Sequence, residues 1–123
     1  MGVTFDTGAL IGLERRRSRM LAVLRTCVTK RVPITVPAPV FMEWWRGRTD
    51  VREQIVDAII VEPLTPELAR TVGEALAELP AAGAIDAAVM ASAALRGDVV
   101  YTSDFDDLSR LQRLFPAVRV LTA

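Results

Sequence analysis

The sequence contains no histidine, a single cysteine and a single lysine among its 123 residues. The lack of histidine excludes a Ser-His-Asp triad, a Cys-His pair and histidine-ligated zinc. Cys27 has no second cysteine to pair with, so no internal disulfide forms and a reducing compartment is expected. Any chemistry must therefore come from carboxylates, hydroxyls, arginines or a bound ion.

Several other common features are also missing. Neither a GxGxxG nor a GxxxxGK[ST] loop occurs, so the two commonest phosphate-binding loops are absent. No apolar run reaches the ~20 residues of a membrane span, and Asp6 interrupts the start of the chain where a secretory signal would be apolar. We expect a cytoplasmic protein with no membrane partner, folded as one domain over residues 1–123.

Charge is balanced overall but unevenly distributed. Residues 1–52 carry ten basic and four acidic side chains, whereas the remainder carries five basic and eleven acidic ones. This asymmetry is typical of proteins that bind nucleic acid or another acidic partner, and equally of solvated helix faces.

Apolar patterning alternates between strand-like and helix-like segments along the chain. Short β-branched runs predict strands at 3–6, 32–37, 60–64, 98–102 and 118–121. Longer amphipathic segments predict helices at 9–13, 15–29, 39–47, 51–59, 66–79, 84–95 and 103–114, and Ser103 and Asp106 have the spacing of a capping box at the start of the last one. The alternation predicts a three-layer α/β/α sandwich with a mostly parallel sheet of about five strands.

Four carboxylates stand alone in apolar surroundings. Asp6 is the only charged side chain in residues 1–13, Glu43 the only one in 32–45, and Asp86 the only one in 79–95. Asp104 directly follows the apolar run that predicts the fourth strand. Functional groups in parallel sheets collect at the carboxyl ends of the strands, so we expect these acids to meet at one edge.

Carboxylates gathered in this way repel one another. Two of them ~5 Å apart cost roughly 3 kcal/mol at an effective dielectric constant of 20, whereas a helix N-terminus returns only about 0.3–1 kcal/mol. The site must therefore bind protons or a cation. Oxygen ligands without histidine or thiolate suit Mg²⁺ or Mn²⁺.

Each acid also has a purely structural interpretation. Asp6 and Asp104 are placed to cap the helices that follow them, Glu43 can pair with a nearby arginine, and Asp86 suits the first turn of a helix. Asp107 lies three residues after Asp104 and is as consistent with a surface position as with a ligand. A purely structural role for all four acids at once is much less favoured than such a role for any single one of them.

Four short segments carry a resemblance that extends over the whole chain. They are Phe5-Asp6-Thr7, Pro39-Val40-Phe41-Met42-Glu43, Ile85-Asp86-Ala87-Ala88-Val89-Met90-Ala91 and Tyr101-Thr102-Ser103-Asp104-Phe105-Asp106-Asp107-Leu108. In their order and spacing the sequence resembles the PIN-domain ribonucleases and, within them, the VapC-type toxins of bacterial toxin–antitoxin pairs.

The resemblance implies a Mg²⁺- or Mn²⁺-dependent endoribonuclease that cleaves RNA by activated water. Its acidic positions match Asp6, Glu43, Asp86 and Asp104, with Thr102 as a bracing hydroxyl and Asp107 as a variable fifth acid. We expect the three aspartates at 6, 86 and 104 to hold the ion and Glu43 to complete the set or orient the water. The RNA backbone would meet Arg15, Arg16, Arg46 and Arg48. The resemblance further implies a small cognate antitoxin and a homodimer.

One position departs from the family pattern. The residue two after the first aspartate is usually serine or asparagine, and here it is Gly8. Thr7 could replace the missing polar group, or activity could be lower, which leaves open a PIN-like domain with a weak or inactive site that binds protein or RNA. A receiver domain would need a lysine near Asp104, and a DxD phosphatase a second acid after Asp6; neither is present.

Overall fold

Five short parallel strands form one sheet in the computed structural model, which describes residues 1–123. The strands are β1 (Val3–Phe5), β2 (Ile34–Pro37), β3 (Ile60–Glu62), β4 (Val99–Thr102) and β5 (Arg119–Thr122). Their spatial order is β3-β2-β1-β4-β5, and every neighbouring pair is parallel. The predicted sheet is therefore confirmed, with β1 at its centre.

Seven helices enclose this sheet as the outer layers of the sandwich. They are α1 (Thr7–Glu14), α2 (Ser18–Lys30), α3 (Ala38–Trp44), α4 (Asp50–Ala58), α5 (Pro66–Glu78), α6 (Ala84–Arg96) and α7 (Phe105–Leu111). One group gathers around α1, which packs against α2, α3 and α4, and the other around α6, which packs against α5 and α7. None of these helices has both the length and the apolar character needed to traverse a bilayer.

The core lies on both faces of the three central strands. Phe5, Val36 and Val100 are fully buried, because strands covered by helices on both faces have no solvent side. The alanine-rich stretch of α6 is buried from Ala87 to Ala93, where small side chains let the helix lie close to the sheet. This packing holds the start of α6, and with it Asp86, near the carboxyl edge of the sheet.

Two predicted helix boundaries are wrong. Helix α2 begins at Ser18 rather than residue 15, because Arg16 adopts a left-handed conformation at φ 57° that interrupts the helix. Helix α3 ends at Trp44 rather than residue 47, because Trp45 is extended.

The predicted capping box at the last long helix is also wrong. Helix α7 begins at Phe105, its N-cap is Asp104, and no side chain caps it. Ser103 lies outside the helix, and its side chain packs against Gly8 in the first turn of α1.

Candidate active site

The ends of β1 and β4 bring two of the predicted acids to the same place. Asp6 directly follows β1, and Asp104 lies two residues after the last residue of β4. The strands are neighbours in register from Val3 opposite Val99, and the Asp6 amide bonds to the Tyr101 carbonyl at 3.2 Å. Parallel pairing thus places both acids at the carboxyl edge of the sheet.

Thr102 links these two acids directly. Its hydroxyl donates a hydrogen bond to Asp6 Oδ2 and accepts one from the Asp104 amide at 2.8 Å. Asp6 is only 4% exposed, and its Oδ1 accepts the Ala9 amide at 2.8 Å. Asp6 therefore does cap α1, and the same carboxylate is fixed in the site by Thr102.

Glu43 reaches the edge from α3 and meets the first turn of α1. The Thr7 hydroxyl donates to Glu43 Oε1 at 2.5 Å, while the Glu43 side chain remains exposed. Glu43 forms no ion pair with Arg46 or Arg48. Arg46 pairs with no acid, and Arg48 pairs with Asp50 at 3.8 Å. The pairing suggested by sequence proximity is thus not formed.

Asp86 lies half-buried in the first turn of α6 and is coupled to all the other acids. Burial is the main cause that raises its pKa to about 6, followed by the negative charges of Asp104, Asp107, Asp6 and Glu43. Such coupling requires these carboxylates to be near one another. The acids predicted from separate segments therefore share one electrostatic environment.

Burial also raises the pKa of Asp6 above its ordinary value. Hydrogen bonds from Thr102, Ala9 and the Ser103 amide oppose this rise, and the charge of Asp104 adds to it. Asp6 and Asp86 are thus harder to ionise than free carboxylic acids, because they are buried and because other negative charges lie nearby.

No basic side chain neutralises these acids. The ion pairs of the chain leave out Asp6, Glu43, Asp86 and Asp104 altogether. Asp107 alone has a partner, the exposed Arg110 at 3.2 Å. The edge therefore carries an uncompensated negative charge that favours a cation.

A second acid cluster differs from this edge because an arginine neutralises it. The sequence analysis did not find this cluster. Asp98 precedes β4, is 2% exposed, and accepts bonds from the Gly2 amide at 2.8 Å and Arg96 Nε at 2.9 Å. The Arg96 guanidinium also bonds Glu62, Thr4 and Ser92. The only sequence signal was Arg96 two residues before Asp98, which does not reveal partners on distant strands.

Cavities along the edge connect the acids with part of the basic region. Asp107 borders one cavity of about 240 Å³ with Asp86 and another of about 370 Å³ with Asp104. A groove of about 430 Å³ joins Thr7 and Glu43 to three arginines, namely Arg15, Arg46 and Arg52. Arg16 and Arg48 do not line this groove, so the structure brings only half of the predicted RNA-binding arginines to the site.

The spacing of the acids suits a cation that keeps its bound waters better than one coordinated by protein oxygens alone. No three acidic side chains lie close enough together to enclose a metal ion directly. Mg²⁺ commonly keeps several of its waters and takes only one or two carboxylates from a protein. Unpaired carboxylates without nitrogen or sulfur donors fit that ion, with Asp6 and Asp104 preorganised by Thr102.

The strands, helices and acids together define an α/β fold with an acidic cleft at the carboxyl edge of a parallel sheet. No protein-family model and no curated protein sequence matches the chain. Solved structures do match it. A chain in the crystal structure of VapBC2 from Rickettsia felis bound to a DNA fragment from their promoter aligns at a TM-score of 0.79 and 12% identity, over 100% of this chain and 99% of that one.

Two further structures show the same likeness. DNA-bound VapBC from Salmonella typhimurium aligns at a TM-score of 0.78 and 17% identity, over 99% of this chain and 98% of that one. A toxin–antitoxin complex from Klebsiella pneumoniae aligns at a TM-score of 0.72 and 19% identity, over 98% of this chain and 97% of that one. At these identities the likeness establishes the fold, and the chain has the PIN-domain-like fold of the VapBC structures.

Proposed function

We propose that the chain is a Mg²⁺- or Mn²⁺-dependent ribonuclease that hydrolyses phosphodiester bonds in RNA. The observation that carries this proposal is the electrostatic coupling of Asp86 to four other carboxylates at one sheet edge, where none of the four main acids has a basic partner. A site whose carboxylates repel one another in this way is stabilised most by a bound divalent cation. A divalent ion bound there would polarise the phosphate and activate water.

Each side chain has a distinct task in this proposal. Asp6, Asp86 and Asp104 would hold the hydrated ion, directly or through its bound waters, with Thr102 fixing the first and the last of them. Glu43, oriented by the Thr7 hydroxyl, would complete the set or position the attacking water. On the adjoining groove, the guanidinium groups of the two arginines at 15 and 46 would bind RNA phosphates.

We further propose that the chain is the toxin of a toxin–antitoxin pair. Among the matching structures, one is described as a toxin–antitoxin complex and two are VapBC complexes bound to DNA. A small cognate antitoxin would cover the acidic edge and keep RNA out. A homodimer is also part of this proposal, and the exposed Ile60 and Val61 on edge strand β3 offer apolar surface for it.

An RNA cleavage assay tests the catalytic proposal. Purified protein is incubated with labelled single-stranded RNA in Mg²⁺, in Mn²⁺ and in EDTA. We expect Asp6→Asn to lower the rate by roughly 10²-fold or more, because the substitution keeps the shape of the side chain but removes its charge. Asp57→Asn, an exposed acid on α4, is the matched control. Equal cleavage by wild type and Asp6→Asn would end the catalytic claim.

A second candidate function is a PIN-like binding module that does not cleave RNA. The absence of three acids close enough to enclose a metal ion favours it, as does Gly8. The two candidates differ in their response to metal. A nuclease is stabilised against thermal unfolding by Mg²⁺ or Mn²⁺, and Asp86→Asn removes that stabilisation, whereas an inert module shows neither effect.

A further inference from the structure

We infer that Ser103 supplies the hydroxyl that position 8 lacks and donates it to a phosphate oxygen of the bound RNA strand. This inference rests on the proposed function, because it names a residue that binds the substrate. It starts from the space around Gly8, which another part of the chain already fills.

Gly8 and Ser103 occupy one side-chain volume between them. A Cβ added to Gly8 would lie 1.7 Å from Ser103 Oγ and 2.4 Å from Ser103 Cβ. Rotation about χ1 moves Oγ but leaves Cβ in place, so the second overlap is removed only by a backbone shift. The Ser103 side chain therefore stands where a side chain at position 8 would be, and glycine is required at position 8 because of it.

The Ser103 hydroxyl is the free donor among the three hydroxyls at this edge. Thr7 donates its proton to Glu43, and Thr102 donates its proton to Asp6. The side-chain hydrogen bonds around the acids leave the Ser103 hydroxyl without a partner, and the residue is exposed.

A phosphate oxygen is the ligand that such a donor fits. Asp6 and Asp104 are acceptors when ionised, so they repel a phosphate unless a cation lies between them. Ser103 lies beside both acids, since its side chain fills the space at Gly8, two residues after Asp6, and its neighbour in sequence is Asp104. A hydroxyl here can bind a phosphate oxygen beside the ion without adding another negative charge.

Reciprocal substitutions test this inference in the full chain. Ser103→Ala removes the hydroxyl, and Ser103→Thr keeps it. The double variant Gly8→Ser/Ser103→Gly moves the hydroxyl to position 8, whereas Gly8→Ala/Ser103→Gly fills the same space without one. In both doubles the nearest remaining contact of the added Cβ is the residue 103 amide nitrogen, at 3.2 Å, which a shift of a few tenths of an ångström relieves.

The readouts are kcat and KM for RNA cleavage in Mg²⁺, and the Kd for fluorescent single-stranded RNA with Ca²⁺ replacing Mg²⁺. We expect Ser103→Ala and Gly8→Ala/Ser103→Gly to raise KM and Kd roughly tenfold, because each loses one hydrogen bond to a charged group. Ser103→Thr and Gly8→Ser/Ser103→Gly should stay within about threefold of wild type. The Mg²⁺ concentration at half-maximal thermal stabilisation should not change in any variant.

Two results would overturn the inference. One is equal RNA affinity for Ser103→Ala and wild type, and the other is equal affinity for the two double variants. If wild type cleaves RNA and Ser103→Ala does so equally well, the nuclease proposal stands and only the role of Ser103 fails. If wild type neither binds nor cleaves RNA, both proposals fail together.

Discussion

Asp86 is half-buried at the start of α6, and its carboxylate is coupled to four other acids. Its isolation within an apolar stretch was visible in the sequence, and this isolation is what predicted a buried acid. The extent of its coupling was not visible, because Asp104, Asp107, Asp6 and Glu43 are remote in the chain. Burial is the main cause that makes the ionisation of Asp86 unfavourable, and the meeting of these acids at the sheet edge adds to it.

We expect stability without metal to depend on pH through Asp86. Its pKa rises from an ordinary 3.8 to about 6 on folding, so the native state holds this proton more tightly than the unfolded state does. The stability that it contributes is fully present below about pH 4 and is lost as pH rises through about 6. Asp86→Asn in EDTA should therefore become more stable than wild type by up to about 2–3 kcal/mol between pH 4 and 7.

Urea denaturation at a series of pH values measures this difference. Taking the variant minus wild type cancels the titration of the remaining acids to first order. Asp57→Asn serves as the control, because it removes an exposed acid on α4. A curve for Asp86→Asn that matches the control curve would contradict the burial and the crowding of charge that raise the pKa of Asp86.

Single residues at the site were thus predictable by type and place, while their partners were not. Thr102 was proposed as a bracing hydroxyl, and the structure gives it bonds to both Asp6 and Asp104. Thr7 was considered as a replacement for the hydroxyl missing at position 8, but its hydroxyl is engaged with Glu43. No sequence pattern could show that Ser103 fills the space beside Gly8, since 95 residues separate the two.

At the scale of elements, Arg96 joins the C-terminal end of α6 to three strands. Its guanidinium bonds Thr4 on β1, Glu62 on β3 and Asp98 just before β4. These contacts tie the helix to the sheet on which it lies. The position of the opposite end of α6, where Asp86 lies, depends on this attachment.

We expect Arg96→Met to destabilise the chain by about 3–5 kcal/mol, because it leaves the buried Asp98 charge without a cation. The double variant Arg96→Met/Asp98→Asn should recover part of that loss, since the unpaired charge is then removed as well. Chemical denaturation measures both, with Arg113→Met, an exposed arginine, as the control. A loss no larger than that of the control would show that the network contributes nothing to stability.

Helix and strand positions were predicted well where the pattern is strong, and their ends less well. The five strands were located because each is a short β-branched run between turn residues. The ends of α2, α3 and α7 were misplaced because they depend on single backbone conformations and on contacts to other segments. Arg16 turns the chain before α2, and Ser103 packs against Gly8 of α1 before α7.

At the scale of the whole molecule, the basic excess of residues 1–52 is only partly directed at the site. Arg15 and Arg46 line the groove beside Thr7 and Glu43. Arg48 pairs with Asp50 on the surface, and Arg52 bonds Glu14 at 2.9 Å within the groove. The electrostatic field along the groove is therefore less positive than the count of basic residues in the sequence suggests.

We expect RNA affinity to fall linearly with the logarithm of salt concentration, with a slope set by the phosphates that are neutralised. Arg15→Gln and Arg46→Gln should each reduce that slope by ~0.7, the value for one contact to a single strand. Arg48→Gln should leave it unchanged, because Arg48 is outside the groove and already paired. Fluorescence anisotropy over a salt series measures the slopes, and equal slopes for all three variants would contradict this assignment.

Taken by itself, the sequence determined the α/β class, the parallel sheet, the exclusion of histidine and disulfide chemistry, and the identity of the lone acids. These follow from periodicity and local polarity, which act over a few residues. The tertiary structure decided which acids share one electrostatic environment, which arginines lie near them, and which hydroxyl is free to donate a hydrogen bond. These depend on strand order and on packing between residues remote in the chain, so no local pattern encodes them.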